Sequence, residues 1–491
     1  MSSGANASSI YGGDEINAIV LDLSSYFTKI GYAGDDFPRI ITPSFYAQPR
    51  EPKEKSKEST NKGKNAKSDK IFGEAINIPR SNYEIKPIMK DSMIIDWEGA
   101  VEQYRYYFDT IMRIDYKEQP ILITEPVWSP PQYRQKLIET FYESFDFPAL
   151  FLAKSPTCVS FHQGRPNCLV VEIGHSSVSV SPVADGISLL NNSMRTHYAG
   201  EYLNDQIEDL ISRKFPGLAL DNRYRIKNKT PTKYPEPAVY TQKDLPKDVS
   251  ESYDAYQRQS LWHEIKESML EVPEAKLNGS NSQKPQNLKS FYSQDSFRRS
   301  FEMPTGQSIE LSLERFLLAD ALFDPESYPF ENETLSQKYP PNNGELSSKN
   351  IHDDYRPIKR SRKMDSNQST PSLDVANDSS NKSIRGLTHL VSQILSTVDI
   401  DLRASIANNI IVTGGVSLIP QLTDRLYNEL SNMNPGLKFR LHAVGNASER
   451  ICQSWIGGSI LSSLGTFHQM WVSREEYNES GTEKILNQRF R

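Results

Sequence analysis

Three apolar runs stand out in the hydrophobic pattern, each short, rich in β-branched residues and cut off by a small polar or glycine turn: AIVLD at 18–22, CLVVEIG at 168–174 and IIVTGG at 410–415. Runs of this length and boundary predict buried strands that deliver their turns to one edge of a sheet. The turns carry Ser24 and Ser25, Ser176 and Ser177, or Gly414 and Gly415, and two of the runs bring a carboxylate, Asp22 or Glu172. Small residues leave backbone N–H groups open to a polyphosphate, and a strand-final carboxylate can hold a hydrated divalent cation. One such turn is ordinarily plain turn chemistry, but the recurrence points to a nucleotide cleft. Further on, LWHEIKESMLEV at 261–272 has apolar residues near i, i+4 and i+8 and predicts a helix, between weakly patterned stretches at 210–260 and 277–300.

Two stretches break the globular texture. Residues 48–70 hold seven lysines and Arg50 against four acids with no large apolar residue, which predicts a disordered loop. Residues 331–383, rich in Asn, Ser, Pro and charge, predict an insertion. Inside it Lys359, Arg360, Arg362 and Lys363 form a compact cationic cluster suited to nuclear import or to an acidic partner.

A chain of 491 residues is long enough for two lobes with separate cores. Its net charge of −6 is mild and excludes a global basic field for nucleic acid, so any DNA contact is local. Three cysteines, Cys158, Cys168 and Cys452, are too few and too scattered for a disulfide framework or zinc site and fit a reducing compartment. No apolar run approaches the roughly 18 residues that span a bilayer, so a soluble, non-secreted protein is expected.

The text around the turns resembles the actin superfamily. The stretches that carry the likeness are LDLSSYFTKIGYAGDDFPRIITPS at 21–44, LITEPVWSPPQYRQKLIETFYESFDFPALFLA at 122–153, GRPNCLVVEIGHSSVSVSPVADG at 164–186, FEMPTGQSIELSLERFLLADALFDP at 301–325 and WIGGSILSSLGTFHQMWVSREEYNESG at 455–481. The lead-in YGGDEINAIVLD at 11–22, with SPTCVSFHQGRPNCLVVEIGH at 155–175, is similar to the nuclear actin-related proteins of class four. The resemblance implies an α/β, actin-like two-lobed fold of the actin, Hsp70 and hexokinase type, with disordered insertions. It divides the chain into a tail at 1–14, an outer lobe at 15–162 and 453–491 with a small subdomain at 44–83, and an inner lobe at 163–452 with a small subdomain at about 199–300.

By the same resemblance Asp22 reaches toward magnesium-bound water, Ser25 touches phosphate and Lys29 neutralises β- and γ-phosphate charge. Leu23, Ser24 and Tyr26 replace small residues or Asn, and Tyr26 narrows the freedom of the backbone to take a positive φ. In the second turn the family's Asp-x-Gly-x-Gly reads Glu172-Ile173-Gly174-His175-Ser176. The carboxylate is kept but displaced by about 1 Å, and His175, neutral or cationic near pH 7, cannot accept from magnesium-bound water when protonated. Ser155 and Ser179 stand where the family orients the attacking water, and neither has the reach. Lys266 and Glu267 match a pair near the base, Gly414 and Gly415 match the pair that packs on the nucleoside, and Ile419 and Ile451 replace a Tyr and a Lys at the adenine. The expectation is ATP held as a structural ligand and not hydrolysed, with no catalytic residue and no metal site assigned.

Phe161, Gly164, Pro166, Leu461, Leu464, Thr466 and Met470 match an apolar groove that takes a partner's amphipathic helix. The implied role is that of an architectural subunit of nuclear histone acetyltransferase and ATP-dependent remodelling complexes, with links to transcription regulation and DNA repair. The implied partners are nuclear actin, a helix of a motor or scaffold subunit, and histones or the nucleosome. The rivals are a cytoskeletal filament or dynactin-like component and a weak ATPase. The lysine-rich 48–70 stretch, standing where actin inserts an apolar loop into its neighbour, argues against filaments. Acids at 14–15, 201–209 and 475–476 are candidate histone contacts.

Overall fold

The strand Ile19–Leu23 is buried along its whole length and sits inside a six-stranded sheet in the order Val472–Ser473, Ala149–Lys154, Ile121–Glu125, Ile19–Leu23, Phe27–Tyr32, Ile40–Pro43. The computed structural model describes residues 18–50, 69–115, 117–278, 285–339, 349–350 and 386–490. Cys168–Ile173 occupies the matching place in a second sheet, ordered Lys349–Asn350, Met194–Thr196, Val178–Ala184, Cys168–Ile173, Ile410–Thr413, Leu441–His442. The local plan is the same twice: a central strand, an antiparallel neighbour joined by a tight turn, and a parallel neighbour that arrives much later in the chain. All three predicted strands are present, and the two mixed sheets with their flanking helices make the α/β fold expected for an actin-like chain.

The chain divides into two compact units, 1–44 with 88–164 and 452–491, and 45–87 with 165–451. In the first unit, aromatic side chains fill the space between sheet and helices: Tyr104, Phe108, Phe141, Phe145 and Phe147 are all buried and in mutual ring contact. Trp455 comes from the helix Ala447–Ser463, lies fully buried, and donates its indole N–H to Val20 O at 3.0 Å. Burying such a ring is worth roughly 3 kcal/mol. The second unit has one large apolar core, in which Leu169, Val171, Ile410 and Val412 of the sheet meet Leu203 and Ile207 of the helix Gly200–Lys214 and Trp262 and Ile265 of the helix Glu251–Met269.

Three boundaries differ from the sequence expectation. Residues 45–50 and 69–87, expected within the outer lobe, group instead with the second unit: Ala47, Ile76 and Ile85 share an apolar cluster with Tyr224 and Tyr253. The insertion begins later than 331, because Glu333–Lys338 is a helix capped by Asn332 and Tyr339 is buried in the second unit's core. The helix predicted at 261–272 starts ten residues earlier, at Glu251, where the Ser250 hydroxyl caps Tyr253 N–H, and it ends at Met269. Residues 51–68, the bulk of the lysine-rich stretch, and the cluster Lys359, Arg360, Arg362 and Lys363 lie outside the described residues.

Candidate functional site

In the first unit, strand register sets Asp22 opposite Lys29 in the antiparallel neighbour and beside Thr124 in the parallel one. Lys29 Nζ lies 2.6 Å from Asp22 Oδ2, and Thr124 Oγ1 donates to Asp22 Oδ1 at 2.5 Å. Both members of the ion pair are buried. The carboxylate therefore has each oxygen engaged and its charge matched within the unit, as a buried ion requires. Ser25 Oγ accepts the Ser92 N–H at 2.7 Å. No residue from 23 to 27 has a positive φ, so the restriction expected from Tyr26 does not arise; its ring packs edge-on against Phe27 with centroids 4.7 Å apart.

The second unit repeats the register with different chemistry. Glu172 stands opposite Ser179 and beside Thr413, so the place of the lysine is taken by a hydroxyl. Gly174 N–H closes the turn on Ser177 O at 3.0 Å, while Gly174 O and His175 O accept the N–H groups of Gly200 and Glu201 at 3.1 and 2.6 Å. The turn thus satisfies donors at the start of the helix Gly200–Lys214, which a helix terminus otherwise leaves orphaned. Gly200 lets the two approach, since a Cβ there would lie 3.0 Å from Val416 Cγ2 and 3.2 Å from His175 Cα. Burial, reinforced by the nearby Lys266 ammonium, holds the His175 imidazole well below its ordinary pKa. Of the two charge states foreseen for it near neutral pH, burial favours the neutral one.

Lys266 and Glu267 separate sharply. Lys266 is buried and donates to Asn204 Oδ1 at 2.9 Å and Gly200 O at 3.1 Å, tying its helix to Gly200–Lys214, and burial lowers its pKa to about 7. Glu267 is exposed and pairs with His263 at 3.2 Å, whose hydrogen bond lowers the carboxyl's pKa. Gly414 and Gly415 separate too: Gly414 has φ +90° with Ile173 O 2.4 Å from where a Cβ would stand, whereas beside Gly415 the nearest atom is Ile451 Cγ1 at 3.9 Å. The third turn is pinned by Thr413 Oγ1 donating to Arg450 O at 2.9 Å, and Ile419 joins the core. Ser155 is buried at the start of the helix Ser155–His162 and donates to Glu125 O at 3.3 Å, and Ser179 is buried within its strand. Among the described residues, no three His, Cys, Asp or Glu side chains gather as a metal site, and no helix is long and apolar enough to cross a membrane.

The expected groove residues divide between the units. In the first, Ala447–Ser463 crosses Ser155–His162 at a glycine contact, where a Cβ on Gly457 would fall 1.8 Å from Cys158 O. Beyond that contact Phe161, Leu464 and Met470 are exposed, as are Gly164 and Thr466. Leu461, expected in the groove, is only 8 % exposed and belongs to the interior. Its neighbour Ile460, which the sequence reading passed over, is exposed instead, and its place one residue before Leu461 puts it on a different helix face. Pro166 is exposed in the second unit. Thr124, Thr413 and Gly200 were also missed; each contributes through strand register or close approach, which local motifs do not display.

Comparison with known proteins matches the family model described as actin over residues 13–491. Among the similar proteins, one named actin-related protein 4 from Debaryomyces hansenii is 68 % identical over 495 residues, covering all of both chains. Proteins of the same name from Candida albicans and Saccharomyces cerevisiae are 54 % and 36 % identical, covering 99 % and 98 % of this chain and 99 % of each relative. With the family match running from residue 13 to the end and the paired strand-and-turn plan in both units, the chain belongs to the actin family.

Proposed function

We propose that this chain is a non-catalytic, architectural subunit of nuclear chromatin-modifying complexes, of both the histone acetyltransferase and the ATP-dependent remodelling kind. In this reading it pairs with nuclear actin and a scaffold or motor-subunit helix, contributes to histone and nucleosome contact, and so serves transcription regulation and DNA repair. Full-length likeness to proteins named actin-related protein 4 supports the class. The observation that carries the non-catalytic part is the state of Ser155 and Ser179: both are buried, short hydroxyls, and Ser155 already donates within its own unit. A water-orienting group in phosphoryl transfer needs reach and a free polar end. The partner helix would lay its apolar anchors on Phe161, Ile460, Leu464 and Met470, with Met470 supplying adaptable contact.

ATP enters the proposal as a structural ligand. The residues that would hold it are Asp22, Ser25 and Lys29 in the first unit and Glu172, Gly174, Glu267, Gly414 and Gly415 in the second. Gly415 is compatible with that reading, since a Cβ there would meet only Ile451 Cγ1, at 3.9 Å, and glycine leaves the backbone uncovered. Lys266 acts chiefly as a tie between helices.

The test is affinity purification of the tagged chain from nuclear extract with identification of what co-elutes. Recovery of actin with acetyltransferase and remodeller subunits, lost on Phe161→Asp/Met470→Asp, supports the proposal. Recovery of cytoskeletal proteins, pelleting under polymerising salt, or steady phosphate release from ATP overturns it.

A further inference from the structure

Residues 226–247 carry five lysines against two acids, in a chain whose net charge is −6. They are built on a ribbon in the second unit, in which Ile226–Thr230 and Val239–Gln242 pair antiparallel with each other and with no further strand among the described residues. A lone two-stranded ribbon is marginal in water, and this one is held at both ends. At its base Ile226 is buried, Lys243 N–H donates to Arg225 O at 2.8 Å, and the Tyr224 hydroxyl donates to Asp254 Oδ1 at 2.7 Å. At its tip Thr232 N–H donates to Gly306 O at 2.9 Å and Tyr234 N–H to Ser308 O at 3.1 Å.

The two strands are not equivalent. Ile226–Thr230 is backed by the rest of the unit: Lys229 Nζ lies 2.5 Å from Glu302 Oε1, and Thr230 O faces Gly306, where a Cβ would come within 2.7 Å of it. Among the described residues, Val239–Gln242 makes no backbone hydrogen bond beyond its ladder to that strand. Tyr240 and Gln242 each donate to the Asp221 carboxylate, so the alternation of a strand sends Val239 and Thr241 the other way, and both are exposed. An outer strand of this kind leaves alternate N–H and C=O groups unpaired. Four lysines flank it in sequence or register: Lys227, where the register shifts opposite Thr241 and Gln242, Lys233 in the tip loop, and Lys243 and Lys247 beyond its end. All four are exposed, and none is in an ion pair among the described residues.

We propose that Val239–Gln242 is a docking edge for an acidic, extended peptide segment of a partner protein, which adds to the ribbon as a third strand with its carboxylates among these lysines. Backbone pairing supplies the affinity, and the lysines select the partner. Like charge at the same edge disfavours a second copy of this chain. A nucleic acid fits poorly, since phosphate oxygens only accept hydrogen bonds whereas the edge presents donors and acceptors in alternation. Because the ribbon is tied at base and tip, it already has its bound shape, and binding orders only the peptide. The inference goes beyond the chromatin and ATP readings and rests on neither.

Fluorescence anisotropy on the full chain tests it, with a labelled peptide of about ten residues that alternates glutamate with valine and threonine. Its binding is expected to saturate below roughly 100 µM. Lys227→Ala/Lys243→Ala should weaken it about fivefold, with Tm unchanged because both side chains are exposed. A second peptide of the same charge, with proline at every third position, loses donors on both of its edges and should bind at least about tenfold more weakly. Absence of saturable binding by the first peptide, equal binding of the two peptides, or binding indifferent to the lysine substitutions would each overturn the proposal. So would a single-stranded thymidine oligonucleotide of equal charge that outcompetes the first peptide, which would assign the lysines to nucleic acid.

Discussion

Gly414 and Gly415 are adjacent and chemically identical, and they should respond in opposite ways to the same substitution. Gly414 has φ 90° and ψ 156°, a region that only glycine visits readily, so an alanine there costs about 1 to 3 kcal/mol in backbone strain. Its Cβ would also sit 2.4 Å from Ile173 O and 2.7 Å from Ile173 C, both backbone atoms of a central strand that no rotamer change can clear. Overpacking of that kind costs a further 1 to 3 kcal/mol or so. Gly414→Ala should therefore destabilise the second unit by about 2 to 6 kcal/mol, which for a unit of roughly 300 residues lowers its Tm by about 3 to 10 °C. Gly415→Ala meets nothing nearer than Ile451 Cγ1 at 3.9 Å and needs no positive φ, so its Tm should stay within about 1 °C. Differential scanning calorimetry at one fixed nucleotide concentration reads both, since any ligand bound by the native state would shift Tm by mass action. Equal losses in the two variants, or a loss under 1 °C for Gly414→Ala, would refute the reasoning.

Lys29→Met should cost about 3 to 5 kcal/mol by leaving the Asp22 carboxylate buried without its cation, and Asp22→Asn/Lys29→Met should recover much of that loss in a thermal double-mutant cycle. Lys266 titrates near 7 in the folded chain and near 10.5 unfolded, so the unfolded state holds the extra proton between those values and stability rises with pH across that window. Lys266→Met should flatten the rise by up to about 1.4 kcal/mol per pH unit in urea titrations run from pH 7 to 9. The imidazole of His175 has the same sign at lower pH: its folded pKa is depressed, so stability present above its ordinary range is lost as pH falls, and His175→Gln should reduce that loss in melts between pH 7 and 5. All three cysteines are buried and burial pushes the Cys158 and Cys452 thiols up, so a thiol reagent at pH 8 should titrate none in the native protein and three after denaturation.

The sequence was most legible where chemistry is local. The apolar runs at 18–22, 168–174 and 410–415 are strands because their β-branched content and Ser or Gly ends act within a few residues. It was least legible where partners lie far along the chain. Thr124 bonds Asp22 across 102 positions, and Gly200 matters only because a turn 25 residues earlier lies on its helix. The grouping of 45–50 and 69–87 with the second unit was hidden for the same reason: the apolar residues there are few and scattered, and they acquire a face only once Tyr224 and Tyr253 are beside them. Leu461 and Ile460 show the finer limit, since a one-residue step turns a side chain by about 100° around a helix and exchanges core for surface.

The order in which the chain visits its two units has a consequence for how it is made. The first unit is assembled from 1–44, 88–164 and 452–491, so its edge strand Val472–Ser473 and its buried Trp455 are synthesised only after the whole of the second unit. At roughly 5 to 20 residues per second, the early strands wait on the order of half a minute for the residues that cover them. The second unit can close first, and the first unit's apolar sheet lacks part of its cover until residues 452–491 emerge. A premature stop anywhere before Trp455 would leave that sheet open permanently, making truncated chains substrates for chaperones and proteases rather than smaller versions of the protein.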